Sequence, residues 1–220
     1  MSAIKNLLKE SKEKKNKSTP ITPRNAGWII KKLTQAELDF VWYCIDTKTQ
    51  DSKKIQYNLA GNITSSYELI DHRNLFWSTV VNPLVRDYKH YYNERSGSKL
   101  CLQNWWVNYQ NQTEFNPMHT HTGVYSFVIW MKIPTSYKEQ KKLPIASPSN
   151  SSAISNFHFT YTDILGKIRT MSYEMSPNME GTMVLFPSAL NHEVYPFYNC
   201  DETRISVAGN VNYHSGYSFQ

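Results

Sequence analysis

His119-Thr120-His121 and His192 are the residues of this chain best suited to chemistry. Successive residues on a strand face opposite sides, so positions i and i+2 share a face. Two imidazoles one residue apart at a strand end can converge on a metal, with a third nitrogen arriving from another strand. Neutral imidazole serves iron, zinc, copper and nickel alike. A His-x-His pair by itself is a weak signal, because a surface loop with two histidines reads the same way. A second block strengthens it. Gly181-Thr182-Met183-Val184-Leu185-Phe186-Pro187 reads as a strand ending in a proline turn. Ser188 to Asn191 then leads into His192-Glu193-Val194, and Arg204-Ile205-Ser206 falls on the strand after that. A neighbouring antiparallel strand brings the Arg204 guanidinium into the same barrel. An arginine in apolar surroundings needs a partner, and a carboxylate ligand held bidentately is the natural one. Glu193 alternates with His192 and is expected to face the other way.

Together these residues resemble the iron(II)/2-oxoglutarate-dependent oxygenases. More narrowly they resemble the small members of that family found in tailed-phage and marine bacterial genomes. The resemblance spans roughly residues 58–211. It takes in Asn58-Leu59-Ala60-Gly61-Asn62-Ile63 and Ser65-Ser66-Tyr67. The block 181–209 carries its most specific part. It implies a double-stranded β-helix, or jelly roll, with helices packed outside the larger sheet. It implies Fe(II) as cofactor and 2-oxoglutarate as cosubstrate. His119 and His192 become metal ligands. Arg204 pairs with the far carboxylate of 2-oxoglutarate, assisted by Ser206, and Tyr109 hydrogen-bonds the same cosubstrate. The implied reaction hydroxylates a C–H bond while 2-oxoglutarate is decarboxylated to succinate.

The family pattern has Asp or Glu two residues after the first ligand, where this chain has His121. A face of three histidines contributes no negative charge, which should weaken its hold on a cation. Three readings stay open: His121 as a true third ligand, a two-histidine site completed by water, and a degenerate site with the fold kept for structure. The last supports an alternative function, a phage virion or assembly protein that uses the jelly roll as an interaction module.

These residues need elements to hold them. Thr34 with Glu37 three residues on is a capping box, and Leu38, Val41, Cys44 and Ile45 recur at helical spacing after it. A second helix is predicted from about Arg73 to Tyr92, kinked or divided at Pro83. Beyond Gly97, runs rich in β-branched and aromatic residues begin at Cys101, Tyr125, Ser155, Gly181, His192 and Thr203. The fold class predicted is mainly β with N-terminal helices, a double-stranded β-helix. The organisation is a basic leader over 1–24, a helical support over 25–97, a β core over 98–213 and a tail over 214–220. Residues 136–152 read as a polar surface loop. His158, among aromatics, reads as a packed strand histidine. In Trp105-Trp106 the two rings must face opposite sides of one strand.

Lys plus Arg number 24 and Asp plus Glu 18, a net charge of +6. Taken whole, that balance invites a nucleic-acid reading. It is not evenly spread. Lys5, Lys9, Lys12, Lys14, Lys15, Lys17 and Arg24 face only Glu10 and Glu13 within the leader, so the leader holds +5 and the rest is nearly neutral. The leader is predicted to be a solvated tail or a docking arm for an acidic protein surface, a virion partner or nucleic acid. No apolar run approaches the roughly 20 residues of a membrane-spanning helix. Cys44, Cys101 and Cys200 are odd in number and widely spaced, which predicts free buried thiols and a reducing, cytoplasmic setting.

Overall fold

The computed structural model describes residues 27–47, 54–95 and 97–214. The basic leader and the last residues of the tail lie outside these, so the docking-arm expectation does too.

Among the described residues ten strands form two antiparallel sheets that face one another. In chain order they are β1 (Ile29–Lys32), β2 (Ser65–Glu68), β3 (Leu100–Gln110), β4 (Asn116–His119), β5 (Tyr125–Lys132), β6 (Phe157–Thr162), β7 (Ile168–Tyr173), β8 (Thr182–Pro187), β9 (Asn191–Val194) and β10 (Arg204–Tyr213). The larger sheet runs β1-β8-β5-β10-β3-β2 and the smaller β4-β9-β6-β7. This is the predicted jelly roll. The region read as helical support also contributes β1 and β2 to the larger sheet.

Helix α1 (Gln35–Asp46) begins where the capping box requires. The Glu37 amide donates to Thr34 Oγ1, and the Thr34 amide donates to a Glu37 carboxylate oxygen. Val41, Cys44 and Ile45 are its buried face. The second helix starts later than Arg73. Arg73 and Asn74 are left-handed, with φ of 55° and 57°. The chain turns there because the two carboxylate oxygens of Asp71 take the amides of Phe76 and Trp77, each at 2.8 Å. A π turn over Trp77–Val81 follows, and regular helix α2 (Asn82–Tyr91) begins with Pro83 in its first turn. A wide turn just ahead of the proline absorbs its missing N–H and its ring. The 136–152 segment is more ordered than a polar loop. It opens with the single turn α3 (Tyr137–Gln140), and Gln140 is buried with its side chain on the backbone of Tyr198.

Alternation along the central strands sorts the interior into two cores. Trp105 and Val107 on β3, Phe127 and Ile129 on β5, and Val207 and Val211 on β10 join the helices in one cluster. Trp130, Phe157, Phe159, Val184 and Phe186 fill the space between the sheets in another. The two tryptophans divide as expected: Trp105 stacks on Phe76 at 4.7 Å, while Trp106 faces the inter-sheet space. Of the three free cysteines only Cys44 is buried. No helix among the described residues is long and apolar enough to cross a membrane.

Candidate metal and cosubstrate site

The inward face of β10 carries Arg204, Ser206, Ala208 and Asn210, all of which line a cavity of about 290 Å³ between the sheets. Register sets their neighbours. Arg204 lies opposite Gln110, Ser206 opposite Asn108 and Trp130, Ala208 opposite Trp106 and Val128, and Asn210 opposite Asn104 and Ser126. Asn58, Leu59, Ala60 and Gly61 close one side. This roof is pinned where the Asn62 amide donates to Phe115 O at 2.8 Å. Gly61 lets it approach β4, because a Cβ there would meet the Asn116 side chain at 1.9 Å.

His119 and His192 are direct cross-strand partners on β4 and β9. His121 joins them differently from the strand alternation predicted, since β4 ends at His119. Its amide donates to Ser188 O at 2.8 Å, and Gly123 turns the chain back at φ 110°, where a Cβ would meet Val211 O at 2.8 Å. The three imidazoles then converge. His121 Nε2 lies 3.1 Å from both His119 Nε2 and His192 Nε2, and the candidate ligand atoms of the three all fall within 4.8 Å.

The tautomers explain what this cluster is for. His119 Nδ1 donates to Pro117 O at 2.7 Å, His192 Nδ1 to Leu190 O at 2.9 Å, and His121 Nδ1 to Asn210 Oδ1 at 2.8 Å. With each Nδ1 carrying its proton, every Nε2 presents a bare lone pair. Lone pairs at 3.1 Å repel unless a cation lies among them. With metal–nitrogen bonds of ~2.1 Å, two ligands of one ion lie no more than about 4.2 Å apart, and both 3.1 Å separations fall inside that limit. The donor set thus fits a divalent metal, and His119, His121 and His192 would hold it.

Burial keeps the rings neutral. It pushes His192 down to about 3, helped by the neighbouring His119 and His121, and His121 down to about 4; His119 is lowered by the same cause. Unfolded imidazoles titrate near 6.5, so the unfolded chain binds more protons than the folded one below that pH. Stability without metal is therefore full above pH 6.5 and is lost as pH falls toward 3. Urea midpoints of metal-free protein should drop over this window. His192→Gln should flatten the dependence; an unchanged slope in that variant would contradict it.

Arg204 lies 2% exposed. Its Nη2 donates to Ser155 O at 3.0 Å and to Ser155 Oγ at 2.7 Å, and Phe197 lies 4.8 Å below the guanidinium. Nε and Nη1 are buried without a partner. Burial lowers this group to about 9, which leaves it charged at neutral pH. A buried cation with two unmet donors and no carboxylate in the cavity lining is a site built for an anion. Ser155 holds that arginine from a left-handed backbone, φ 65°, at 0% exposure.

The cavity gathers His119, His121, His192, Arg204 and Ser206. Tyr109 is turned away, which corrects the role expected of it. It shares a face with Trp105 and Val107, packs on the helix-side core and meets Tyr67 edge-on at 6.1 Å. Asn108 and Gln110, its neighbours on β3, face the cavity instead. Sequence reading missed these two, together with Asn210 and Ser155. Asn210 could have been found by counting forward in twos from Arg204. On the outer face, His158 sits 3.4 Å from Glu193 and opposite the cavity, so Glu193 supplies no carboxylate to the metal site.

No curated protein sequence matches the chain. A family model described as "Putative 2OG-Fe(II) oxygenase" matches residues 104–210. Among solved structures, the chain is similar to an oxidoreductase of the 2OG-Fe(II) oxygenase family from Burkholderia pseudomallei, at TM-score 0.56 and 11% identity over 88% of this chain and 89% of that one. It is similar to a Pseudomonas putida prolyl-4-hydroxylase at TM-score 0.52 and 12% identity, over 86% and 94%. It is also similar to a Trichoplax adhaerens prolyl hydroxylase solved with a peptide of hypoxia inducible factor, at TM-score 0.52 and 13% identity, over 85% and 83%. At such identities the likeness is one of fold.

Proposed function

We propose that the chain is a member of the 2OG-Fe(II) oxygenase family, whose model matches residues 104–210, and a working dioxygenase that hydroxylates a C–H bond of its substrate. One observation carries the reading: three bare imidazole nitrogens and a buried guanidinium with two unmet nitrogens share one cavity. A site kept only for its fold would have no reason to leave these groups unmet, since each costs stability.

His119, His121 and His192 would hold Fe(II) through Nε2. Arg204 would take the far carboxylate of 2-oxoglutarate through the donors that Ser155 leaves free. Ser206 and Asn108, opposite one another in the ladder, flank its path toward the metal. When bound, the metal and cosubstrate supply the oxidising power of O₂: 2-oxoglutarate becomes succinate and CO₂, one oxygen atom enters succinate and the other enters the product. The chain's own residues shield that chemistry. Trp106, Val128, Phe186 and Trp130 line the interior with apolar surface and exclude water.

The test is succinate release by the purified protein. Succinate should form only when Fe(II), 2-oxoglutarate and O₂ are all present, slowly without substrate and faster with it. His192→Ala should abolish it. A protein that neither takes up metal nor forms succinate under these conditions is not a dioxygenase.

A further inference from the structure

Asn210 has no part in the family reading, yet it touches the ligand that departs from the family pattern. His119 and His192 each fix their own tautomer on a backbone carbonyl two residues earlier, Pro117 O and Leu190 O. His121 has no such local acceptor. Its Nδ1 reaches a side chain 89 residues away, Asn210 Oδ1. Its orientation is therefore the one of the three that depends on a side chain.

That side chain is held on each side. Asn210 is 7% exposed and lies in register between Asn104 on β3 and Ser126 on β5. Its Nδ2 donates to Asn104 Oδ1 at 3.0 Å. Its Oδ1 accepts from Ser126 Oγ at 2.9 Å as well as from His121. With Ser126 donating to Asn210, the Ser126–Ser188 contact at 2.9 Å runs from Ser188 to Ser126. Ser188 in turn accepts the His121 amide on its carbonyl. The loop is closed: Ser188 places the backbone of His121, and Asn210 places the ring. The pairing of β10 with β3 also shifts register between Asn210 and Val211. Such bulges re-aim a side chain. Trp106 lies against the His121 ring, 5.8 Å between centroids and 22° between planes.

We infer that Asn210 is a positioning residue that holds His121 in the tautomer and orientation of a third metal ligand, with Ser126 and Asn104 fixing the amide. The inference rests on the reading of His121 as a ligand proposed above. It gives this three-histidine face what a carboxylate would have supplied by charge: a defined third donor. An outer hydrogen-bond partner of a ligating histidine is commonly worth ~10–100-fold in metal affinity.

Two measurements on the full-length protein test it. Two-bond ¹H–¹⁵N spectra of the metal-free protein read histidine tautomers directly. His121 should carry its proton on Nδ1, as His119 and His192 do; a proton on Nε2 overturns the inference without any variant. Titration with Co(II) alone should then give Kd values about 10–100-fold higher for Asn210→Leu. Asn210→Asp, which keeps the acceptor, should bind at least as tightly as wild type. If Asn210→Leu does not fold, Ser126→Ala, which frees the amide to rotate, should still weaken Co(II) binding and mix the His121 tautomers. Equal affinities in wild type and the folded variants overturn the inference and leave the dioxygenase reading standing. A wild type that takes up no Co(II) removes both.

Discussion

Arg204→Met should cost this protein its affinity for 2-oxoglutarate by roughly 100-fold or more, while leaving the cosubstrate-free fold about as stable as before. The first half follows from what Arg204 lacks. Two of its nitrogens are buried and unpartnered, and the cavity lining holds no other cation and no carboxylate. A carboxylate entering the cavity meets a desolvated, charge-assisted donor, and truncating one member of such a pair costs about 2–5 kcal/mol. The second half follows from the same burial. Without an anion the guanidinium carries a desolvation penalty that an apolar side chain of similar volume avoids. Ser155 loses a donor in exchange, so the two effects oppose. Arg204→Lys should rescue poorly, because an ammonium on a shorter stem cannot serve Ser155 and a carboxylate in the same fork geometry. Thermal shifts with and without 2-oxoglutarate separate these effects. Wild type should gain melting temperature with the cosubstrate, and Arg204→Met should gain none. A variant that keeps the wild-type shift would move the anion site elsewhere.

How far this site could be read from sequence depends on strand phase. The runs around Trp105-Trp106, Val128 and Phe186 are rich in β-branched and aromatic residues and are bounded by turn residues, so the central strands were legible. So was the order His119, His192, Arg204. The phase of β3 was not. It contains Trp105, Trp106, Val107 and Tyr109 in close succession, with apolar residues on both faces. Nothing in that pattern says which tryptophan faces the cavity, and the choice of Tyr109 over Asn108 and Gln110 turned on it. The peripheral strands escaped for other reasons. β1 is four residues with two lysines, β4 carries Pro117 at an edge, and β7 is mostly exposed with polar residues at half its positions. These strands exist because a neighbour offers them a ladder, which is tertiary context and not local pattern. Residues 58–61 read as a stretch of family likeness and became a roof for the same reason: the bridge of Asn62 to Phe115 fixes them over the cavity. The competing virion reading draws on the leader, which lies outside the described residues.

Metal and 2-oxoglutarate should each tighten the other's binding by about 10–100-fold, and His121→Asp should shrink that factor. The argument is one of charge. The three ligands are neutral imidazoles, and the residues lining the cavity include Arg204 but no Asp or Glu. A divalent cation entering alone adds two positive charges to a buried space that already holds one. Among the described residues that line the cavity none offers a compensating negative charge, and a cosubstrate dianion does. Opposite charges at low dielectric interact by several kcal/mol, so neither ligand should bind well without the other. Linkage makes the two factors equal. Asp at position 121 returns a negative charge to the metal's first contacts. Co(II) alone should then bind more tightly than to wild type, by roughly 10-fold or more, despite the lost bond to Asn210. Part of the compensation is already present in that variant, so 2-oxoglutarate should add less. Paired titrations of Co(II), with and without saturating 2-oxoglutarate, measure both factors in both proteins. A wild-type coupling near unity, or an Asp variant that binds Co(II) more weakly with its coupling unchanged, would mean that ring geometry and not charge decides how this face holds its metal.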